Sequence, residues 1–501
     1  MKSQGHLFNS GTSLDPPDWD SLRAQSHKML DDMLDYVAEI RERPVWQSAP
    51  ESTESVFREP LPVGPTSLAA AHGTFMAHVL PFAIGNAHPG FMGWVHGGGS
   101  PVGMLAEMLA AGLNANLGGR DHIPIAVEQQ VVLWMRQLFR FPETASGLFV
   151  TGSSVANLIG ILVARTAKLG ADVRSKGLAE LSKKLTVYTS VSAHGCIARA
   201  LEMAGIGSDQ LRKIEVNDRQ QMSLNDLQTA IAADRTVGAI PLCVVGTAGT
   251  VDVGAIDDLA GIAAIAEREQ MWFHIDGACG ALGMLSPQIA AKLQGIERAD
   301  SIALDFHKWG QVPYDAGFVL IRDSQVHHDT FAAPAAYLRR ETRGMAAGSP
   351  WPCDFGPDLS RSFKALKVWF TLQVYGSERL GRMMERTCEL ASYLARRIAE
   401  TPELELLAPV ALNIVAFRYR CQDADRINSE IVIAIQESGI AAPSSTMLNG
   451  QFAIRAAIFN HRTTEREIDN LIEVTLRFGR QLSQGVVSFE HFQTQTENAL
   501  L

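Results

Sequence analysis

The sequence predicts an α/β fold built on a mostly parallel sheet with helices on both faces. The chain has 501 residues, 46% of them apolar, and after Gly147 short β-branched runs alternate with helical stretches. Segments of helix length between successive strands indicate parallel pairing, because parallel neighbours need a crossover connection. Ligands of such sheets bind beyond the carboxyl ends of the strands, so we expect the functional residues there.

The composition excludes several classes of protein. Lys and Arg number 44 against 54 Asp and Glu, a formal net charge of −10, and this acidic balance argues against nucleic-acid binding. The six cysteines are scattered without a CxxC pair, which favours reduced thiols over a disulfide framework or a metal site. No apolar run reaches the roughly 18 residues of a membrane span, and the N-terminus lacks the apolar core of a signal peptide. We therefore expect a cytoplasmic protein without a membrane partner.

The elements follow one another in a regular order. After Pro16-Pro17, Asp18 or Ser21 is a candidate N-cap for a helix that extends to about Arg43. A proline-spaced arm and a glycine-rich aromatic loop, 88–103, come next. The elements predicted after the loop are helices 104–113 and 127–139, strand 148–151, helix 155–168, strand 185–190, helix 197–204, strand 240–245, helix 257–269 and strands 271–275, 301–304 and 318–321.

A long loop and a smaller unit complete the chain. Residues 326–355 are rich in Gly and Pro, and structureless loops of this length are usually functional or disordered. A helix over 360–375 precedes a predicted α+β unit. The expected division is an N-terminal arm with helices over 1–103, a large domain over 104–378, a small C-terminal domain over 379–485 and a polar tail over 486–501.

A carboxylate ends one predicted strand, and a lysine lies in the motif that follows the next strand. Lys308 lies in the DFHKW motif at 305–309, directly after a strand, and Asp276 ends the preceding strand. A lysine alone is usually a solvated surface residue. The carboxylate could cap an element, bind a sugar hydroxyl or hold a pyridinium proton. Gly277 and Ala278 are small enough to let a flat ring approach it closely.

Three more strand ends complete a chemical pattern. The segment 147–154 leads from a strand into a helix, so Ser153 and Ser154 suit a phosphate or a plain N-cap. His194 could stack on an aromatic ring or be a satisfied core histidine, and Thr247 could contact a cofactor or close a turn. An anion site, a stacking imidazole, a carboxylate and a lysine together fit pyridoxal phosphate, whose ring nitrogen needs an acidic partner and whose aldehyde forms a Schiff base with lysine.

The chain resembles the group II pyridoxal-phosphate-dependent decarboxylases, the family of the aromatic-amino-acid, histidine and glutamate decarboxylases. The resemblance extends over about 18–480 and rests on HxDxAxG at 274–280, HKW at 307–309 and GTAGT at 246–250. It implies fold type I, which is aspartate-aminotransferase-like, with a seven-stranded sheet in the large domain. It also implies pyridoxal 5′-phosphate as cofactor and a homodimer with its sites at the interface. The implied reaction converts an L-amino acid to its amine and CO₂.

The resemblance also assigns roles to residues of this sequence. Lys308 would form the Schiff base, Asp276 would bind the pyridine nitrogen, and His194 would stack on the ring and assist protonation of the substrate's Cα. These three form the implied catalytic set. The other implied cofactor-binding residues are Ser153, Ser154, Thr247, Ala278 and His307.

One departure from the family pattern concerns the reaction. In the family, a mobile loop carries a tyrosine that protonates Cα, but the matching positions 351–355 contain none, and Tyr337 is the only tyrosine in the long loop. Family members without that tyrosine can divert to oxidative deamination. Aldehyde formation or another carbon–carbon cleavage therefore stays an alternative to decarboxylation. A non-catalytic cofactor-binding regulatory protein is the alternative from another class.

A second departure concerns the substrate. The implied substrate wall carries Trp94, His96, Asn116 and Arg120, together with Arg455 from the C-terminal domain. The asparagine pair of this segment, Asn114 and Asn116, resembles the glutamate-decarboxylase-like branch, and such hydrogen-bonding groups indicate a polar or anionic substrate side chain. The alternative is that these residues only shape loops.

Overall fold

A helical arm opens the chain. The computed structural model describes residues 13–179, 181–333 and 340–484. As predicted, the Asp18 carboxylate caps the first helix by accepting hydrogen bonds from the N–H groups of Asp20 and Ser21. This helix ends at Ala38, earlier than expected, and only a short 3₁₀ turn follows at Ile40–Glu42. The elements of this part are α1 (Trp19–Ala38), α2 (Glu51–Val56), α3 (Leu68–His78), β1 (Phe91–Met92), α4 (Pro101–Leu113) and α5 (Ile123–Leu138).

The middle of the chain forms a seven-stranded sheet in the order β2-β8-β7-β6-β5-β3-β4. Strand β8 runs antiparallel to both of its neighbours, and the other pairs are parallel. The fold prediction is therefore confirmed. The elements are β2 (Ser146–Val150), α6 (Ser153–Leu169), α7 (Val173–Lys176), β3 (Leu185–Ser190), α8 (Cys196–Met203), β4 (Leu211–Ile214), α9 (Leu224–Thr236), β5 (Ile240–Thr247), α10 (Leu259–Arg268), β6 (Trp272–Asp276), α11 (Pro287–Ala290), β7 (Ser301–Asp305), β8 (Gly317–Ile321) and α12 (Ser324–Phe331).

Helices cover both faces of this sheet. Along β5, Val244 packs into the core cluster on one face, whereas Cys243 and Val245 pack into the cluster on the other face. Successive side chains of a strand point to opposite faces, so a strand that is covered on both sides must be apolar throughout. This double burial explains why the central strands were visible in the sequence as continuous apolar runs.

The last part of the chain forms a second sheet in the order β1-β11-β12-β10-β9. Strand β1, from the N-terminal loop, pairs in parallel with β11 and so fastens the arm to the C-terminal unit. The long helix α13 crosses the expected border at 378 and bends at Gly376, whose φ is 72°. The elements are α13 (Lys364–Ala399), β9 (Leu404–Leu406), β10 (Ile414–Tyr419), α14 (Ala424–Glu437), β11 (Ala442–Leu448), β12 (Gln451–Ala457) and α15 (Glu465–Ser483).

Candidate active site

Three neighbouring strands end in polar residues at one cavity. Thr247 ends β5, Asp276 ends β6 and Asp305 ends β7, and Thr247 lies directly opposite Asp276 in the strand pairing. The cavity has a volume of about 500 Å³, which is within the usual range for a small-molecule site. It is lined by all eight expected cofactor-binding residues: Ser153, Ser154, His194, Thr247, Asp276, Ala278, His307 and Lys308.

Asp276 is a buried carboxylate that lacks a cationic partner in direct contact among the described residues. Its Oδ1 accepts a hydrogen bond of 3.2 Å from the N–H of Ala278, and the Cys196 thiol lies 4.0 Å from its Oδ2. Burial raises the pKa of Asp276, because the ionised form loses hydration that these weak contacts do not replace. A protonated ring nitrogen placed here would supply the missing positive charge.

Lys308 is paired with Asp305. Its Nζ lies 2.8 Å from the Asp305 Oδ2, and only 18% of the lysine side chain is exposed. Burial by itself lowers the pKa of a lysine, but the adjacent Asp305 carboxylate outweighs that effect, so the pKa of Lys308 is raised. The amine therefore rests as an ammonium group at the mouth of the sheet.

The N-terminus of α6 points its donors at the same carboxylate. Ser153 donates from its N–H to Oδ1 and from its hydroxyl to Oδ2 of Asp305, both at 2.7 Å. Ser154 follows Ser153 at the cavity wall with an exposed side chain. Unpaired N–H groups at the start of a helix attract anions, and here Asp305 is the anion that they hold.

His307 presents an N–H to this anion site. Its Nδ1 accepts a hydrogen bond of 3.0 Å from the N–H of Ala316, so the proton of the neutral ring resides on Nε2, which lies 3.7 Å from the Asp305 Oδ1. Burial lowers the pKa of His307, which keeps the ring neutral. The ring of Tyr314 lies against it, with centroids 4.3 Å apart.

Thr247 and His194 bring further polar atoms to the cavity. The Asp257 carboxylate fixes the Thr247 backbone by accepting from its N–H at 2.8 Å, while the buried Thr247 hydroxyl has no partner within the described ranges. His194 lines the cavity, and its Nδ1 accepts from the Cys196 N–H at 3.2 Å, so Nε2 is the ring nitrogen left for a ligand. Both groups are thus positioned by the protein and available to a ligand.

Arg455 lies at the cavity as a buried cation, 3% exposed. It donates to the carbonyl oxygens of Val251 and Trp94, both at 2.8 Å, and to the Ser444 hydroxyl at 3.0 Å. Its Nη2 finds no acceptor among the described residues. A buried N–H group without a partner costs free energy, so this group is suited to an acceptor that arrives with a ligand.

Residues 50–420 match the model of the Pyridoxal-dependent decarboxylase conserved domain.

The chain belongs to the pyridoxal-dependent decarboxylase family.

Similar proteins match this chain over most of their length, and a solved one among them has a similar fold. An aromatic-L-amino-acid decarboxylase of Bacillus atrophaeus is 32% identical over 470 residues, which cover 90% of this chain and 93% of that one. A phenylacetaldehyde synthase of Arabidopsis thaliana is 28% identical and covers 92% and 96%. The solved glutamate decarboxylase domain of a Vibrio parahaemolyticus diaminobutyrate-pyruvate transaminase and L-2,4-diaminobutyrate decarboxylase is 27% identical, covers 93% and 97%, and has a TM-score of 0.83.

Membership makes this chain a pyridoxal 5′-phosphate-dependent carboxy-lyase that acts on amino acids. The cavity fits the cofactor on structural grounds. It offers a helix N-terminus and the His307 N–H for a phosphate, a lysine for the aldehyde and a carboxylate for the ring nitrogen. The unpartnered Thr247 hydroxyl adds a donor. When bound, the cofactor supplies an electron-withdrawing ring that stabilises negative charge on the substrate's Cα.

The structure does not bring two of the expected substrate residues to this cavity. The Asn116 Oδ1 accepts hydrogen bonds from the N–H groups of Gly118 and Arg361, both at 2.9 Å. The guanidinium of Arg120 lies 4.5 Å from the centre of the Trp351 ring. Within one chain, both residues hold a loop against the segment before α13, which is the alternative that the sequence left open.

The remaining substrate candidates do line the cavity. Trp94 is half exposed at its edge, and the His96 ring stacks on Phe91 with centroids 5.6 Å apart. Burial lowers the pKa of His96, and its Nδ1 is unpartnered within the described part of the chain. Together with Arg455, these residues form a wall of rings and N–H groups.

Sequence reasoning assigned no role to several lining residues. Asp305 stands in the same motif as Lys308 and could have been noticed as a carboxylate three positions before it, and Tyr314 follows six positions after it. Only the fold shows that Cys196, Cys279 and Ser444 reach the same cavity. Tyr337, considered above as the tyrosine of the long loop, lies outside the described residues.

Proposed function

We propose that this enzyme decarboxylates an L-amino acid with a polar or anionic side chain, releasing the amine and CO₂. The observation that carries the proposal is the Arg455 guanidinium, buried at the cavity with the N–H groups of Nη2 left for an incoming acceptor. Ser444 accepts a hydrogen bond from Arg455, and His96 lines the same cavity. A site with buried polar groups rejects ligands that leave those groups unpaired.

The proposed role of each cavity residue follows from the geometry of the cavity. Lys308 attaches the cofactor, and Asp276 holds the proton on the ring nitrogen. His194 lies at the cavity wall, with Nδ1 engaged by the Cys196 N–H; it would stack on the cofactor ring and donate a proton towards Cα. Ser153, Ser154 and His307 donate to the phosphate. Each role uses a donor, an acceptor or a charge that the protein already orients, which is how enzymes lower the cost of reorganisation.

A substrate panel tests the proposal. CO₂ release is measured with the purified holoenzyme for glutamate, aspartate, 2,4-diaminobutyrate, histidine, tyrosine, phenylalanine and tryptophan. We expect kcat/KM for one of the polar substrates to exceed that for every aromatic one by about tenfold or more, a difference of about 1.4 kcal/mol. A higher value for an aromatic amino acid would contradict the proposed substrate class and leave the decarboxylase assignment in place.

Aldehyde formation is a second candidate reaction. It is favoured by the absence of tyrosine from positions 340–363 of the loop before α13 and by the resemblance to a phenylacetaldehyde synthase. In that reaction the substrate loses CO₂ and ammonia while dioxygen is reduced to hydrogen peroxide. Product analysis under air separates the two candidates: amine without oxygen uptake supports decarboxylation, and aldehyde with matching ammonia and peroxide supports the alternative.

We also propose a homodimer. Helix α1 has no buried residue in the single chain, and large apolar side chains are exposed on two further helices of the N-terminal part: Phe75 on α3 and Met108, Leu109 and Leu113 on α4. Clustered apolar surface of this kind usually marks an interface. Sedimentation should give a mass near twice the 54.4 kDa of the chain, and a Leu109→Glu variant should shift the protein towards monomer.

A cytoplasmic location is proposed on chemical grounds. All six cysteines are free thiols, as is typical of proteins in reducing compartments. No helix of the described ranges has the length and apolarity to cross a membrane. Fractionation of the source cells with an antibody against the chain tests the location.

A further inference from the structure

Asp305 is a buried carboxylate that the proposed roles do not use. It is 2% exposed at the end of β7. The Ser153 N–H and hydroxyl donate to its two oxygens at 2.7 Å, and Lys308 Nζ lies at 2.8 Å. The three donors are the ones that the cofactor needs, two for its phosphate and one for its aldehyde. Asp305 therefore occupies the anion site from within the protein.

A phosphate at the start of α6 would meet this carboxylate directly. Both anions would compete for the donors of Ser153, and both would lie in a cavity where water screens charge poorly. A carboxylate that loses its donors to a neighbouring anion becomes easier to protonate. Once protonated, Asp305 has an O–H with which it can donate to the phosphate instead of repelling it.

We propose that Asp305 takes up one proton from solvent when the cofactor's phosphate binds, and that it then donates a hydrogen bond to that phosphate. The inference rests on the proposed placement of the phosphate at Ser153. In this step one proton from solvent binds to a carboxylate oxygen of Asp305, and no oxidation or reduction occurs. The hydrogen bonds that Ser153 donated to Asp305 are then donated to the phosphate. Cofactor affinity should therefore fall as the pH rises.

The other groups around Asp305 allow its proton to be measured separately. Burial lowers the pKa of His307, so His307 is already neutral at pH 7 and above. The pKa of Lys308 is raised, as are those of the two cavity cysteines and Tyr314, so these groups keep their protons up to pH 8.5. Asp276 is the remaining carboxylate that acts on Asp305 electrostatically. The groups that face or act on Asp305 are Ser153, Asp276, His307, Lys308, Cys196, Cys279 and Tyr314.

The experiment uses pyridoxine 5′-phosphate, which lacks the aldehyde and binds without a covalent bond. Calorimetric titration of the cofactor-stripped full-length chain at pH 8, in buffers of different ionisation enthalpy, gives the number of protons taken up. Pyridoxine without the phosphate is the ligand control. The variant is Asp305→Asn, whose amide donates without titrating, and the matched control is Asp315→Asn, which removes a carboxylate that pairs with Lys364 at 2.7 Å outside the cavity lining.

We expect the wild-type protein and Asp315→Asn to take up about one proton more than Asp305→Asn with the phosphorylated ligand, and no such difference with pyridoxine. Between pH 7 and 8.5 the wild-type Kd should rise by up to about tenfold per pH unit relative to that of Asp305→Asn, as linkage to one proton requires. Equal proton uptake in both proteins would overturn the proposal, as would weaker binding of the phosphorylated ligand by Asp305→Asn.

Two further measurements keep the outcome decisive. If Asp305→Asn does not fold, the wild-type protein is compared with the two ligands alone. The proposal is overturned if the wild-type protein takes up no more protons with pyridoxine 5′-phosphate than with pyridoxine. Ser153→Ala should weaken binding of the phosphorylated ligand and leave pyridoxine unaffected. An unchanged affinity would show that the phosphate binds elsewhere and would remove the basis of the proposal. No turnover is measured, so these results do not depend on which amino acid is decarboxylated.

Discussion

Lys308 and Asp276 are both buried groups whose ionisation depends on a neighbour. Lys308 already has its neighbour in Asp305 at 2.8 Å, whereas Asp276 has only weak donors, and burial raises its pKa. A bound pyridinium would pair with Asp276 and restore the ionised carboxylate. We therefore expect the protonated ring nitrogen of the cofactor to supply the positive charge that Asp276 lacks in the protein alone.

Asp276→Asn should separate cofactor binding from catalysis. The amide keeps the size of the side chain but cannot hold a proton on the ring nitrogen, so the ring withdraws electrons less strongly. We expect kcat to fall by about 10²-fold or more, the scale for loss of one electrostatic contribution in a buried site, while cofactor is retained. Steady-state kinetics and cofactor absorbance measure the two effects. Activity like that of a surface variant such as Asp218→Asn would count against the role.

Lys308→Ala should abolish covalent attachment of the cofactor. Borohydride reduction of the wild-type holoenzyme should fix the cofactor to one peptide, which contains Lys308, and mass spectrometry of the variant should find no modified lysine. Lys308→Arg is the matched control, because arginine keeps the positive charge beside Asp305 without a nucleophilic amine. It should also lose attachment. Modification of a different lysine in the wild-type protein would refute the assignment.

At the scale of elements, the glycine-rich loop of 96–99 closes the cavity by packing against the backbone of the lysine motif. The Gly97 N–H donates to the His307 carbonyl at 3.2 Å. A Cβ at Gly97 would meet the Lys308 carbonyl oxygen at 2.2 Å and the His307 oxygen at 2.6 Å. The glycine therefore permits a close approach of two backbones that no other residue would allow.

Gly97→Ala should consequently disturb the site and the fold together. Backbone atoms cannot move aside as a flexible side chain can, so we expect a loss of stability of about 1–3 kcal/mol and weaker cofactor retention. Urea unfolding and the cofactor content after gel filtration measure these effects. Gly64→Ala is the control, since nothing lies within 4 Å of its added Cβ. If both variants unfold at the same urea concentration, the close-packing argument fails.

The same elements show what the sequence could and could not predict. Strands β5, β6 and β7 were predicted because both of their faces are buried and apolar. The predicted C-terminal bound of each strand was one or two residues too early, because the last residues of the strands are polar: Thr247, Asp276 and Asp305. Those residues are paired in the sheet and serve the cavity. Strand β4 was missed, since two of its four residues are Arg212 and Lys213, charges typical of an edge strand.

At the scale of the whole molecule, the sequence pattern predicted those cavity residues that lie at or just beyond the ends of neighbouring strands. Asp276 ends β6, and Lys308 follows the end of the adjacent parallel strand β7 by three residues, so their proximity follows from topology. Asn116 and Arg455 belong to a loop and to the other sheet, and no pattern specifies how those parts dock. The structure brings Arg455 to the cavity and ties Asn116 to Arg361. Long-range packing of this kind depends on shape and is not encoded in a local motif.

Two buried histidines, one in strand β6 and one in helix α12, link the stability of the whole molecule to pH. The His274 ring is fully buried, and its two nitrogens lie 2.7 Å from the Ser301 hydroxyl and the Asn157 amide oxygen. His327 is equally buried, with Nδ1 2.8 Å from the Ser146 hydroxyl. Burial lowers the pKa of each to about 3, because a charged ring would lose its hydration.

The sign of the effect follows from proton binding. An unfolded histidine has a pKa of about 6.5, so between about pH 3 and 6.5 the unfolded chain binds more protons at these positions than the folded chain does. Stability therefore falls as the pH falls through this window, by up to about 1.4 kcal/mol per pH unit for each histidine. Asp257 acts in the opposite direction, because burial raises its pKa to about 6; its contribution grows as the pH falls below about 6.

Replacing one of these histidines isolates its contribution from the others. In His327→Gln the buried position no longer titrates, so the free energy of unfolding should decline less steeply from pH 6.5 to pH 5 than in the wild-type protein. The expected difference in slope approaches one proton per molecule, whatever the variant's stability at pH 7. Urea unfolding at several pH values measures both slopes. Parallel slopes would mean that His327 is not held neutral by the fold.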